Sequence, residues 1–249
     1  MKSFFAALRF LTILPIPARW AGTEVQLARS VRFFPAVGLI LGAITAIFAW
    51  LSAFIVPQIT VAAMVVVLLV ILTRGFHLDG LADTADGFWS VSDRQRILEI
   101  MKDSSTGAMG AAAIVCILLL KFACLSTLGS DAMWRGVLLM VLVGRCMTIL
   151  PISIFPYARK EGGLGQLFYE TRTVLNVIWA ILVVLFAGWL LVGWAGLAAS
   201  FAAVLAAMVF GFYCKWKIGG GKPSQIFKKN LQKCKEKSGA PIGDLLYHE

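Results

Sequence analysis

FFPAVGLILGAITAIFAWLSAFIV, residues 33–56, runs for 24 residues without a charged side chain. A bilayer core takes about 20 apolar residues of helix, so this stretch reads as a membrane span. Pro57-Gln58 breaks it, and an apolar return follows over 59–73. That return is short, and its helix is expected to continue into the segment that follows. Four more apolar stretches come later: 108–128, 136–155, 173–193 and 196–214, the last two hinged by Gly193 and Gly196. Residues 3–14 are too short to span and read as an interfacial helix or a half-inserted segment. The expected fold is therefore all-α: a polytopic membrane bundle of about six transmembrane helices with an N-terminal interfacial helix.

Composition agrees. Of 249 residues, 59% are hydrophobic and 14% are charged, and mean hydropathy is +0.84. Soluble domains carry about 25% charged residues, so one aqueous core and intrinsic disorder are both excluded. Four of the five cysteines (116, 124, 146 and 214) fall in apolar stretches and read as small buried residues; Cys234 lies in the tail. Six spans put 20 of the 23 Lys and Arg on one side, leaving Arg135 opposite and Lys121 and Arg145 within spans. The positive-inside rule assigns that basic side to the cytoplasm. The chain divides into a single integral membrane domain, 1–214, and a lysine-rich cytoplasmic tail, 215–249, expected to be poorly ordered. Each part carries a net charge of +5, from 15 basic and 10 acidic residues in the first and 8 and 3 in the second. The basic excess is thus no sign of nucleic-acid binding.

The chemistry concentrates in RGFHLDGLADTADG, residues 74–87. Asp79, Asp83 and Asp86 stand at i, i+4 and i+7, which sets three carboxylates on one helix face. Such carboxylates repel one another, and a hard cation relieves the repulsion. Mg²⁺ takes one or two carboxylates and leaves its other positions to phosphate and water. The face therefore reads as a Mg²⁺-phosphate site at the membrane border; the competing reading is a solvated face paired to Arg94 and Arg96. His77 fits a metal ligand, a phosphate hydrogen bond or a structural histidine. Asp93 reads as an N-cap.

Further candidates share that side. Glu99, Lys102 and Asp103 precede Gly107 and Gly110, whose N–H groups open a span and suit either a phosphate or an ordinary helix cap. Arg159, Lys160 and Glu161 sit in the glycine-rich PYARKEGGLG of 156–165. Arginine there serves phosphate recognition, or topology and lipid contact. Arg145, costly within a span, is expected to pair with an acid of the motif helix, whereas Lys121 reads as snorkelling. Gly38-xxx-Gly42 reads as helix packing within the bundle, with dimerisation as the other use of the motif. GGGKPS at 219–224 is no P-loop, because Trp216 and Pro223 occupy required positions.

FLTILPIP at 10–17, FFPAVGLILG at 33–42, GFHLDGLADTADG at 75–87, RQRILEIMKDS at 94–104, Gly144-Arg145 and PYARKEGGLG at 156–165 together resemble cobalamin synthase, the adenosylcobinamide-GDP ribazoletransferase family of the bacterial inner membrane. The resemblance covers roughly residues 1–220. It implies an enzyme of the last steps of cobalamin biosynthesis. α-Ribazole, or its 5′-phosphate, attacks the phosphate joining cobinamide to GDP; GMP leaves, and adenosylcobalamin or its phosphate forms. It implies Mg²⁺ held by Asp79, Asp83 and Asp86, catalytic roles for Asp83, His77 and Arg145, and substrate binding by Lys102, Asp103, Arg159, Lys160 and Glu161. It also implies a multi-pass inner-membrane protein with its site facing the cytoplasm. Partners are the two substrates and the lipid bilayer, with no nucleic acid, and a homo-oligomer is left open.

Three positions depart from the family pattern. Ser105 stands where the family has Arg after Asp-Ser, Gly162-Gly163 adds a glycine, and the chain after Gly220 turns polar where the family continues with acids and a last apolar helix. An altered reading frame near Gly220 would produce such a tail. If the family's terminal acids serve the site, impaired or lost activity is expected. The alternatives are a CDP-alcohol phosphotransferase, whose DGxxAR opening is not met from Asp79-Gly80 onward, a transporter, for which no inverted repeat is visible, and a purely structural membrane protein.

Overall fold

The computed structural model describes residues 1–91, 93–158 and 164–219, and every element it describes is helical. The chain opens with α1 (Lys2–Leu11), α2 (Ala18–Ala21) and α3 (Glu24–Ala28). A 3₁₀ turn, Val31–Phe33, leads into α4 (Phe34–Ser52), α5 (Gln58–Leu72), α6 (Phe76–Ser90) and α7 (Arg94–Ile100). Then come α8 (Ala108–Ser126), α9 (Ser130–Met147), α10 (Ile149–Ile154), α11 (Leu164–Glu170), α12 (Val174–Val192) and α13 (Trp194–Ile218).

Among the described residues, five helical stretches are long and apolar enough to cross a membrane: Val31–Ser52, Ala108–Ser126, Ser130–Ile154, Val174–Val192 and Trp194–Ile218. α5 and α6 pass the same test only as a pair, and they are bent 88° from one another. The expectation that the α5 helix runs on into the acidic segment is thus corrected. Arg74 (φ 53°) and Gly75 (φ 65°) both adopt left-handed backbone, and the Gly75 N–H closes onto the Val70 carbonyl at 3.0 Å. That conformation ends a helix, and glycine takes it without steric cost. α13 also runs past the expected boundary at 214, to Ile218, where left-handed Gly219 donates to the Lys215 carbonyl at 2.9 Å.

Among the described residues, two apolar cores hold the bundle. The larger joins α1, α4, α9, α10 and α12 through residues such as Leu11, Val37, Leu41, Leu142, Ile149 and Val184. The smaller joins α4, α5, α8 and α9 through Ala49, Val61, Val65, Leu125 and Val137. α1 is short, as expected, but it is packed into the larger core by Ala7, Leu8 and Leu11. By contrast α8, α12 and α13 turn Leu119, Leu120, Phe186, Leu190, Phe201 and Leu205 outward. Apolar surface of that extent is a liability in water and the normal condition in lipid. Cys116 and Cys124 of α8 share this outward face, correcting their expected burial; Cys146 is buried and Cys214 half-buried.

Small residues set the closest approaches. A Cβ at Gly38 would lie 2.9 Å from Arg145 Cβ, and one at Gly42 would lie 2.8 Å from Leu138 Cδ1. The Gly38-xxx-Gly42 pair therefore seats α9 against α4 within one chain, and this seating carries Arg145 to its position. α12 and α13 meet still more closely: a Cβ at Gly188 would collide with Ser200 Oγ and the Gly196 carbonyl.

Candidate active site

The site is built around α6. Its first and middle carboxylates are accessible, Asp79 being exposed and Asp83 half-buried. Asp86, on the same face, is only 6% exposed. One of its oxygens accepts the Gly107 N–H at 2.7 Å and the other accepts the Gly110 N–H at 2.8 Å. Asp86 thereby caps the amino terminus of α8 from a neighbouring helix, satisfying two donors that a helix leaves unpaired and placing an anion where the helix dipole favours one. The N–H groups expected to meet a phosphate or an ordinary cap are occupied by this carboxylate. The glycines are required by it, since a Cβ on either would run into the Asp86 carboxylate.

The three carboxylates thus share a face without converging. Among the described residues, no three His, Cys, Asp or Glu side chains group closely enough to hold a metal ion. The donor set nonetheless fits Mg²⁺. Asp79 and Asp83 lie one turn apart and are accessible, and two carboxylates suffice when phosphate and water fill the remaining positions.

Among the described residues, Arg94 and Arg96 engage partners other than the acids of α6. Arg96 pairs with Glu99 at 3.0 Å. Arg94 donates through Nε to the Ile218 carbonyl and through Nη2 to the Ala158 carbonyl at 2.9 Å. α7 is preceded by Asp93, whose carboxylate accepts the Arg96 N–H at 2.9 Å, as an N-cap does. The helix lies tightly on α6, where a Cβ at Gly87 would come within 3.2 Å of both Ile97 and Met101. Arg94 therefore ties the stem of the basic loop and the end of α13 to the helix that carries the carboxylates. Arg159, Lys160 and Glu161 themselves lie outside the described residues. Lys102 and Asp103 are exposed in the segment between α7 and α8. The Asp103 carboxylate accepts the Ser105 N–H at 3.1 Å, and that bond holds its pKa below the usual carboxylate value.

His77 and Arg145 meet elsewhere. Successive helical residues turn by about 100°, so His77 lies roughly 160° round α6 from Asp79 and faces away from the acids. Arg145 of α9, 7% exposed, approaches that side, with Nη1 2.6 Å from His77 Nε2. A guanidinium can only donate, so Nε2 accepts and the imidazole is neutral with its proton on Nδ1. The expected pairing of Arg145 with an acid is corrected to a pairing with the histidine. Lys121 of α8 is half-buried and near enough for its charge to act on His77.

The sequence profile of the cobalamin-5-phosphate synthase family matches residues 3–221. The chain belongs to this family. It is 39% identical over 219 residues to an adenosylcobinamide-GDP ribazoletransferase of Syntrophobacter fumaroxidans, covering 87% of this chain and 88% of the relative. A protein of the same name from Geotalea daltonii is 34% identical over 220 residues, covering 88% of each chain. One from a Roseiflexus species is 45% identical over 162 residues, covering 65% of this chain and 60% of the relative. No solved structure matches the chain.

Every candidate residue lies within the stretch that matches the cobalamin-5-phosphate synthase family. Sequence reasoning missed Arg94 as a connector and Asp86 as a cap. For Asp86 a signal exists: two glycines three apart at the opening of a span leave room for a side chain from another helix. For Arg94 none does, because its partners are carbonyl groups 64 and 124 residues away.

Proposed function

We infer that this chain is an adenosylcobinamide-GDP ribazoletransferase acting at the end of cobalamin biosynthesis. It transfers the adenosylcobinamide phosphate group from adenosylcobinamide-GDP to α-ribazole or its 5′-phosphate and releases GMP. The observation that carries this reading is family membership over residues 3–221, with the acidic segment folded as a helix presenting Asp79 and Asp83.

In the reaction the ribazole hydroxyl oxygen forms a bond to the phosphorus attached to cobinamide, and the bond from that phosphorus to the GMP oxygen breaks. Asp79 and Asp83 would hold Mg²⁺, which when bound supplies positive charge to the diphosphate. Lys102, Arg159 and Lys160 neutralise phosphate charge, and GMP departs in line. The hydroxyl proton passes to Asp79 or Asp83, because both oxygens of Asp86 are engaged by backbone N–H groups and the lone pair of His77 by Arg145. Arg145 then acts by holding His77 and the head of α6, not by touching substrate.

The same reading places the protein in the bacterial inner membrane with the site facing the cytoplasm, supported by the 20 of 23 basic residues on the side of α6 and α7. The decisive assay reconstitutes the chain in lipid nanodiscs and measures GMP release from adenosylcobinamide-GDP with α-ribazole. Absence of GMP release from both this chain and one whose sequence after Gly220 is replaced by a family-like apolar helix, CMP release from a CDP-alcohol, or substrate flux without GMP would each reject it.

A further inference from the structure

We propose that Asp86 is a positioning residue that locks the Lys102–Gly107 segment and the start of α8 onto the acidic helix, and that it is not a metal ligand. The proposal rests on the ribazoletransferase reading for its consequence in turnover, but its geometry stands apart from it. Both oxygens of Asp86 are engaged, by the Gly107 and Gly110 N–H groups at 2.7 and 2.8 Å. The side chain is 6% exposed, so it lies beneath the surface on which Asp79 and Asp83 are presented. A hydrogen bond from a backbone N–H to a carboxylate is charge-assisted and stronger than a neutral one, and here two act at a helix terminus whose dipole adds to them.

The fit on the α8 side is equally specific. Gly110 lies against Ala82, where a Cβ would sit 3.0 Å from Ala82 Cβ, and both glycines leave open the space the carboxylate fills. One turn of α6 thus holds Asp83 for the reaction and Asp86 for the fold. Lys102 and Asp103 stand on the segment that Asp86 ties down, with Met101 at its root packed against Gly87. Loss of the cap would move Lys102 relative to Asp79 and Asp83 without removing any charge from the exposed face. Asparagine cannot substitute, since its amide nitrogen would set a donor against one of the two N–H donors.

The experiment uses the full chain in nanodiscs and five variants: Asp86→Asn, Gly110→Ala, these two combined, Asp79→Asn and Asp83→Asn. Amide hydrogen exchange across 104–111, without Mg²⁺ or substrate, is the first readout. Asp86→Asn and Gly110→Ala are each expected to speed exchange about tenfold or more, the scale of a lost charge-assisted hydrogen bond. Asp79→Asn and Asp83→Asn are expected to leave it as in the parent. Turnover is the second readout. Asp86→Asn and Gly110→Ala should raise KM for adenosylcobinamide-GDP by about tenfold, with the Mg²⁺ concentration for half-maximal rate kept within about twofold, as expected where no ligand to the metal is lost. The double variant should be no worse than Gly110→Ala alone.

Unchanged exchange in Asp86→Asn overturns the proposal. So does a shift in half-saturating Mg²⁺ as large as that of Asp83→Asn, absent from Gly110→Ala. Should Asp86→Asn not fold, Gly107→Ala, whose Cβ meets the same carboxylate, carries the exchange arm. If neither the parent nor a chain carrying a family-like helix after Gly220 releases GMP, the functional reading fails, and the exchange arm still decides the role of Asp86.

Discussion

Arg145 donates to His77 across 2.6 Å, joining α9 to the head of α6 inside the bundle. The pair is asymmetric, because the guanidinium stays charged whether or not its partner is present. Removing His77 leaves a buried cation without an acceptor. Removing Arg145 leaves only a neutral imidazole. His77→Leu is therefore expected to cost more stability than Arg145→Leu, on the order of 3 kcal/mol for the former. Combining the two should recover part of that loss, read as the coupling in a thermal double-mutant cycle in detergent. Equal costs with simple additivity would reject the pairing.

Asp83 is the carboxylate of α6 that is both half-buried and one turn from exposed Asp79. Asp83→Asn should lower GMP release about a hundredfold at saturating Mg²⁺, the scale at which a lost electrostatic group acts on a phosphoryl transfer. Full turnover under those conditions would remove Asp83 from the metal site.

Arg94 reaches two carbonyls at once, which a lysine point charge cannot reproduce. Arg94→Lys is expected to lower kcat/KM for adenosylcobinamide-GDP by about tenfold and thermal stability by about 1–2 kcal/mol. Retention of both values would show that the tie between α7, Ala158 and Ile218 is dispensable.

Glycines of α4 and α9 offer a matched pair. Gly38→Val would press on Arg145 Cβ and the Leu142 backbone, while a Cβ at Gly144 meets nothing within 4 Å. The first substitution should destabilise by about 1–3 kcal/mol through overpacking. Gly144→Ala should be neutral or stabilising by up to about 1 kcal/mol through helix propensity. Thermal unfolding in detergent orders the two, and the reverse order would contradict the seating of α9 on α4.

Sidedness is testable with single cysteines in a background lacking the native five. A cysteine at Ser104, between α7 and α8, should react with an impermeant maleimide only in inverted vesicles. One at Ser130, at the opposite end of α8 and the start of α9, should react only in right-side-out vesicles. The reversed pattern would overturn the cytoplasmic placement of the site.

Much of the fold is legible in the sequence because the bilayer acts as a selective solvent. Uncharged runs of membrane length announce α4, α12 and α13, and an apolar run broken only by Lys121 announces α8, before any packing is known. The face shared by Asp79, Asp83 and Asp86 is likewise a matter of helical periodicity alone. What each carboxylate does on that face is not periodic information. Asp86 is diverted by the unpaired amides of a helix that begins 22 residues later, and only the three-dimensional approach of α8 to α6 shows it. The bend after Leu72 depends on Arg74 taking a left-handed conformation, which neither its charge nor its spacing signals. The partner of Arg145 could have been narrowed by counting degrees: an acid on the Asp79 face and His77 point in nearly opposite directions, so one basic group entering from α9 meets only one of them.

The hydrogen bond from Arg94 to the Ile218 carbonyl fastens α13 at its final residue, three positions before the family match ends at 221. The last turn of α13 is thereby moored before the unfamiliar sequence starts. For protein engineering this makes Gly219 a natural graft point. A foreign segment joined there begins from an anchored stump, and exchanging everything after it should leave the carboxylate helix, the stem of the basic loop and their mutual spacing untouched.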